Sequence, residues 1–537
     1  MRVTGFGGRV LAAIVLMVFS AASHSQNEFQ LLVHPKAAAL GNAVTADPPG
    51  IMAIRRNPAG LTRLEGRQFE VSQVVARTVF EAEFTVPDDG CDIFGIECAE
   101  NDPAANSKSK TSAPALFIPK LGLAEPPTEL PVAVLPMHGA ISVNRPGSKL
   151  TFANGAWLEQ VGGAQKDSND PGRYQGKTFA LQRLTYFAPT VAYKINDDWS
   201  VGAGINFSHH GLGASQQIRA PNLLLGVGAT LQDAFGCDEQ RQEPLAPFLA
   251  LCGGKIGPFQ DIGSVTIEAE DSLSTSYRMG VLWEPNDWFS WGAQYSSGDT
   301  MNLEGEAVLD FTDEWARFWQ SVNSSVLGAI GASILSLPSG VPREEANVKI
   351  RETHPQQFST GISAQVAPWV TINADLDWVD FNDQRFVDIQ FDRQLEFLNA
   401  ARILSPEQVT PTSLRLKRGR EDVWSLGYGA EFHVSTRLDL RAGVQHRTNA
   451  TKREENLLVP IWGANLYGVG AGYRWSKDTQ VDVNFSFIQT DKSIPADGSC
   501  SINCNNITNI ADNPFAGLDV NAETNVQYLG IAFRSKF

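Results

Sequence analysis

Residues 465–475, NLYGVGAGYRW, place Tyr467, Val469, Ala471, Tyr473 and Trp475 on one side and Leu466, Gly468, Gly470, Gly472 and Arg474 on the other when every second residue shares a face. A period of two is a strand. An apolar face opposed to a small or polar one is what a barrel wall shows to lipid and to lumen. The glycines recur at every second position with no helix pattern behind them, so a phosphate-cradling loop is set aside.

The alternation recurs along the chain. In 370–378, VTINADLDW, Val370, Ile372, Ala374, Leu376 and Trp378 oppose Thr371, Asn373, Asp375 and Asp377, so two carboxylates share the polar side. Residues 481–487, VDVNFSF, and 201–208, VGAGINFS, repeat the pattern. Soluble β-sandwiches alternate too, so the medium facing the apolar side is read from the turns. Short turns near residues 197, 286, 368, 436 and 478 alternate with connections of tens of residues, and Trp199, Trp283, Trp288, Trp369 and Trp475 gather where strands meet turns. Short turns at one rim, long loops at the other and an aromatic girdle define an outer-membrane barrel. The last strand, 526–537, ends on Phe537, as such barrels commonly do. About fourteen strands are expected, in an all-β, transmembrane antiparallel barrel.

The N-terminus supplies the address. Arg2 and Arg9 precede an apolar run from Val10 to Phe19 and then small residues, the order of a signal peptide; cleavage after Ala22 and after Ser25 both fit. The run is shorter than the roughly 20 residues of a spanning helix, and no later run is long enough, so a membrane protein here crosses with a closed barrel. The formal net charge of −16 argues against a nucleic-acid partner. The six cysteines fall into close pairs, Cys91 with Cys98, Cys237 with Cys252 and Cys500 with Cys504. In an oxidising compartment these are expected to be local disulfides across loops rather than metal ligands, since no histidine cluster lies near. No metal or cofactor is implied.

Residues 27–64, NEFQLLVHPKAAALGNAVTADPPGIMAIRRNPAGLTRL, resemble the N-terminal segment of the FadL family, outer-membrane transporters of long-chain fatty acids and other hydrophobic compounds. Glu28 and Phe29, then Leu40, Gly41 and Ala43, then Asn57, Pro58 and Ala59 carry the resemblance, and strand-and-turn pairs along nearly the whole chain extend it. With residues 1–25 as the signal peptide, the resemblance implies an N-terminal hatch inside the lumen (26–64) and a barrel with extracellular loops (65–537). It also implies passive, ligand-gated uptake by loop capture, lumenal binding and lateral release. HGAISVNRPG, 138–147, looks like the family's third strand, in which a kink opens the wall; Pro146 and Gly147 suit a kink. The enlarged loops at 87–113, 212–263 and 310–346 depart from the pattern.

Two loops offer apolar capture surfaces. Residues 222–235 carry Leu223, Leu224, Leu225, Val227, Leu231 and Phe235, and 313–337 carry Trp315, Phe318, Trp319, Val322, Val326, Ile330 and Ile334 at helical spacing. Such a face either packs on a neighbouring loop or lines a groove. His209 and His210 beside Ser208 are expected to be an exposed pair at the rim, with no carboxylate partner identifiable, so catalysis is not expected. The functional expectation is a channel for a fatty acid, an alkane, an aromatic or a sterol-like molecule. It would work as a monomer among outer-membrane lipid and lipopolysaccharide. The alternative is a general porin or surface adhesion barrel, with an outer-membrane lipid hydrolase third.

Overall fold

Strands with one lipid-soluble face can leave no unpaired edge in a bilayer, and this chain closes them on themselves. The computed structural model describes residues 34–88, 99–124, 132–221, 223–237, 248, 250–335, 337–384, 386–404, 407–417, 420–450, 462–499, 502–503 and 513–537. Fourteen antiparallel spans make the wall. They are β1 (Gly66–Thr85), β2 (Val132–Val134 and His138–Asn144), β3 (Leu150–Gln165), β4 (Thr178–Phe187 and Thr190–Lys194) and β5 (Trp199–Ile218). Next come β6 (Gly263–Asn286), β7 (Phe289–Ser296 and Asp299–Phe311), β8 (Arg343–His354 and Gln357–Ala367), β9 (Val370–Val379 and Phe386–Phe391) and β10 (Ser413–Lys417 and Val423–His433). β11 (Leu438–Arg447), β12 (Ala464–Arg474), β13 (Thr479–Ile494) and β14 (Asp519–Lys536) complete the ring. An unbroken ladder from Gln68↔Lys536 to Thr85↔Asp519 joins β1 to β14.

The faces divide as the alternation requires. On β12, Tyr467, Val469 and Tyr473 are exposed on the outer surface while Leu466 is buried; on β14, Leu529, Ile531 and Phe533 face out and Tyr528 and Ala532 face in. The girdle forms at the short-turn rim, where Trp199 stacks on Trp283 at 5.9 Å and Trp369 on Phe432 at 6.3 Å.

Two strand readings change. His138–Asn144 belongs to the second span, paired with β1, not to the third. Pro146 and Gly147 lie in the exposed turn between β2 and β3, Gly147 at φ 75°, so they kink no strand. A proline without an N–H, followed by a left-handed glycine, is suited to a tight turn. The irregularity of β3 is instead at Glu159, where its register with β4 shifts between Leu158 and Gln160. The pairing of β2 with β3 also stops at Ala156 among the described residues. Two of the enlarged loops are shorter than expected, because β5 and β7 run on to Ile218 and Phe311 and leave 219–262 and 312–342 as connections.

Cys237 and Cys252 form a disulfide, Cα atoms 5.1 Å apart; Cys91, Cys98, Cys500 and Cys504 lie outside the described residues. The closed loop spans 15 residues, for which a cross-link contributes about 3 kcal/mol. Reduction is expected to raise protease cleavage within 238–262 while leaving barrel melting unchanged; equal cleavage before and after reduction would count against this.

Candidate lumenal binding site

The N-terminal segment folds into short elements, α1 (Pro35–Ala39), α2 (Ala53–Arg56) and a 3-10 turn (Pro58–Arg63). His34 caps α1 by accepting from Lys36 N at 3.0 Å, and Asn57 caps the 3-10 turn by accepting from Ala59 N at 3.2 Å. Asn57 also donates to Thr45 O (2.8 Å) and to Val281 O on β6 (3.0 Å), so it holds the segment to itself and to the wall. The strand glycines explain how the segment fits. A Cβ at Gly468 would stand 2.0 Å from Ala38 O, and one at Gly280 would stand 2.1 Å from Asn57 Oδ1. Ile51, Met52, Ile54 and Leu61 bury against Ala140, Trp157, Ala188 and Ala192 of the inner wall.

Charges tie the same segment down. Arg56 Nη2 lies 2.7 Å from Asp377 Oδ1 and 3.2 Å from Asp375 Oδ2, all three side chains buried. Asp375 Oδ2 also accepts from Val44 N (2.9 Å) and Thr45 N (2.7 Å). The two lumen-side aspartates of the sequence pattern thus receive a guanidinium and two backbone donors from one segment. Of the expected N-terminal residues, Asn57, Pro58 and Ala59 meet the wall, whereas Glu28 and Phe29 lie outside the described residues.

Above this layer runs a belt of buried ion pairs, Arg278–Glu159 at 2.9 Å and Arg183–Asp299 at 3.2 Å. The histidine pair belongs here and is not an exposed rim pair: Ser208, His209 and His210 are all buried, because the long β4 and β6 flank β5 at that level. Carboxylate partners exist as well. His209 Nε2 lies 3.1 Å from Glu270, and His210 Nε2 lies 2.7 Å from Ser274 Oγ and 3.3 Å from Asp299. A nucleophilic relay needs the carboxylate on one ring nitrogen and the hydroxyl on the other. Here both sit on Nε2, so the trio is a structural network.

Glu431, His433 and Asp439 form a trio with metal-ligand atoms within 4.8 Å. Arg441 already bonds Glu431, and Arg474 lies 2.6 Å from Asp439, so cations of the chain hold these carboxylates.

The upper barrel encloses an apolar chamber. Leu212, Ile267, Leu309, Ile350, Ile389 and Leu416 line it, with Ile218, Leu395, Phe397 and Leu398 towards the top. Its volume is about 200 Å³; an engineered apolar cavity of roughly 150 Å³ takes up benzene, so a ring-sized guest has room. The chamber's polar lining residues are Gln160, Gln175, Gln216, Glu352, His354, Gln384 and Arg420, of which Arg420 donates to Gln384 and lies 4.0 Å from Glu352.

The chamber exists because the wall inverts its polarity as it rises. On the upper parts of β7 and β8, Leu303, Leu309, Val348 and Ile350 point inward, while the ion pairs Lys349–Glu304 and Arg343–Asp310 are exposed outside. Beyond the bilayer the outer face meets water and the apolar face turns to the lumen. Sequence reading missed these lining residues. The available signal was the density of charge opposite the apolar residues: NLEGEAVLDF and REEANVKIRE set them against charges at most positions, whereas the lipid-facing strands set them mainly against glycine and small polar residues with an occasional charge such as Asp375 or Asp482.

Of the loop helices, α3 (Leu223–Phe235), α4 (Asp313–Ser324) and α5 (Val326–Leu335) belong to the neighbouring connections, while α6 (Glu396–Leu404) lines the chamber with Phe397 and Leu398. Thr312 caps α4 by accepting from Trp315 N at 3.3 Å, with Asp313 and Glu314 in the first turn, a favourable N-terminus. Of the expected capture residues, Trp315 and Phe318 are buried in one cluster against which Leu225, Phe235 and Trp319 pack; Leu224 lies on the same helix as Leu225. Phe311 and Phe397, 6.3 Å apart, pack on both this cluster and the one around Leu395 and Leu398. An apolar path therefore connects the two loops to the chamber. The exposed apolar side chains are Val227 and Leu231 of the first stretch and Val326 and Ile330 of the second, with Phe248 and Leu327 also exposed.

A closed fourteen-strand barrel with a lipid-facing apolar surface and an apolar chamber in its lumen is an outer-membrane channel of the kind that handles hydrophobic compounds. The chain belongs to the family of outer membrane protein transport proteins, OMPP1/FadL/TodX, whose model matches residues 13–537. Outer membrane protein P1 of Haemophilus influenzae is 21% identical over 462 residues, 84% of this chain and 83% of that one. Among solved structures, a Pseudomonas aeruginosa FadL homologue is similar with a TM-score of 0.64 and 15% identity, covering 95% of this chain and 100% of that one. The toluene transporter TodX of P. putida aligns with a TM-score of 0.57 and 13% identity, covering 94% and 98%.

Proposed function

We propose that this protein carries hydrophobic molecules passively across the outer membrane, taking them from the loop helices into the chamber and releasing them sideways. The observation that supports this best is the apolar chamber, adjoined by an apolar loop cluster and underlain by buried ion pairs. An open porin would keep a polar, water-filled passage there. Exposed side chains such as Val326, Leu327 and Ile330 offer first contact, and Phe311 and Phe397 lead inward. The N-terminal segment acts as a hatch, its ion pairs to Asp375 and Asp377 blocking the polar route downward. The seam between β2 and β3 supplies the lateral exit: its ladder stops at Ala156, and one apolar cluster runs from Leu466 and Val526 of the inner wall through Ala133 of β2 and Leu135, just after its first segment, to Leu158 of β3. A single barrel suffices, so the protein works as a monomer, and no nucleotide is needed. Fatty acids, alkanes and aromatics all satisfy these requirements.

Trp315 and Trp319, 5.6 Å apart, anchor the loop cluster. Replacing both with Ser is expected to weaken binding of a hydrophobic fluorophore by roughly ten- to a hundredfold, with barrel melting unchanged because α4 lies outside the wall. Titration of the detergent-solubilised protein measures this. Unchanged affinity would remove the loop cluster from the uptake path.

A further inference from the structure

The second strand of the wall is interrupted beside the proposed exit. Its first segment pairs with β1 as far as Val134↔Val75, and its second resumes at His138↔Ser72. Leu135, Pro136 and Met137 therefore stand opposite only Gln73 and Val74, and the extra residue makes a bulge. Pro136 has no N–H to bring to a ladder. On the other side the ladder with β3 ends at Gly139↔Ala156, so the bulge sits where the seam opens. The residue facing the bulge departs from its surroundings. Ser72 and Val74 are buried towards the lumen, which puts Gln73 on the lipid side between Val71 and Val75, opposite the exposed Ile531 of β14. An amide in hydrocarbon needs a partner of its own. It has one here: Gln73 donates to Leu135 O, the first carbonyl of the bulge, and more distantly to Val74 O at 3.4 Å, while Leu135 N donates to Val74 O at 2.9 Å. The Leu135 side chain lies in the apolar cluster that reaches Leu158 across the seam.

We propose that Gln73 is a positioning residue for lateral release: its amide holds the Leu135 carbonyl on the β1 side of the bulge and so keeps β2 from zipping onto β3. This rests on the lateral exit read above and names what holds it open. A backbone carbonyl that loses its donor inside a bilayer has to find another. The nearest unzipped backbone is β3 beyond Ala156, and pairing with it would lengthen the β2–β3 ladder and close the gap. Gln73 therefore works through Leu135 and touches no guest. Its cost, a polar side chain on the lipid face, is offset by the one hydrogen bond it makes at the bulge.

The test is Gln73→Met in the full-length protein, which keeps the length of the side chain and removes the donor. Methionine suits a lipid-facing wall, where Met279 already stands exposed, so the barrel should assemble. Amide exchange across residues 156–160 is expected to slow roughly tenfold, and uptake of N-phenyl-1-naphthylamine by cells with this protein as their only such channel to fall roughly tenfold, the shift that one hydrogen bond in apolar surroundings produces. Binding of the same probe to the purified protein should stay within roughly twofold, because the chamber is untouched. The sign of the exchange change separates positioning from mere support, since a weakened wall exchanges faster. Exchange that is unchanged or faster overturns the role of Gln73, whatever uptake does, and leaves the lateral exit standing. Slower exchange with undiminished uptake shows that a closed seam does not stop release, and overturns the lateral exit and this role together. Loss of probe binding in Gln73→Met puts its effect in the chamber and likewise overturns the positioning role.

Discussion

Replacing Arg56 with Ala is expected to undock the N-terminal segment and make the barrel leaky to small polar solutes. The side chain holds Asp375 and Asp377 at 3.2 and 2.7 Å in a buried site. Removing one partner of such a cluster leaves two carboxylates facing each other without a counter-ion, a loss of about 3 to 5 kcal/mol. That corresponds to a shift of roughly a hundredfold to a few thousandfold from docked towards undocked. Liposome swelling with small sugars should speed up, and amide exchange across residues 34–64 should rise, while the wall, with its own closed ladder, keeps its heat resistance. Deleting residues 26–64 should give the same permeability or more. A rescue sharpens the reading: with Asp375→Asn and Asp377→Asn added to Arg56→Ala, no charge remains to be compensated, and swelling should fall back. A single Arg56→Ala protein that stays tight, with unchanged exchange, would mean that apolar packing of Ile51, Ile54 and Leu61 holds the segment without the ion pairs.

The second large effect belongs to the other end of the barrel. Arg219 pairs with both oxygens of Asp102, at 2.6 and 2.8 Å, donates to Pro514 O at 2.7 Å, and lies 4.1 Å over the ring of Tyr174, all of it buried. Four separate connections meet at this one guanidinium. Arg219→Ala is expected to cost about 3 to 5 kcal/mol of local stability by stranding Asp102. The stacked pair Phe84–Phe515 beside it, 4.2 Å between centres, loses its cover. Surface protease on intact cells should then cut within 99–124 and near residue 515, where the natural chain resists. Arg219→Lys should not rescue, because a point ammonium cannot serve both carboxylate oxygens and a carbonyl in one plane. Resistance retained in Arg219→Ala would show that the apolar cluster of Phe80, Phe84, Trp462 and Phe515 carries the cap unaided.

The sequence by itself determined the wall. A period of two with aromatic and branched residues on one side and short turns at one rim leave a lipid-facing closed barrel as the consistent solution, since local alternation fixes which way each side chain points. The corner at Asn57 and Pro58 and the inward Asp375 and Asp377 were legible for the same reason. Only the tertiary structure decided the rest. Which carboxylates met Arg56, that His210 shares one nitrogen between Ser274 and Asp299, and that the register shift of β3 falls at Glu159 while Pro146 lies in a turn depend on registers between strands far apart in sequence. The chamber depended on height. The same alternation faces lipid in the lower wall and lumen in the upper wall, and a strand does not carry in its own residues the level at which the bilayer ends. The loop helices show this most plainly: apolar spacing told that Trp315 and Phe318 share a face, but whether that face met water or Phe235 and Ile262 was set by how separate loops folded onto one another above the barrel.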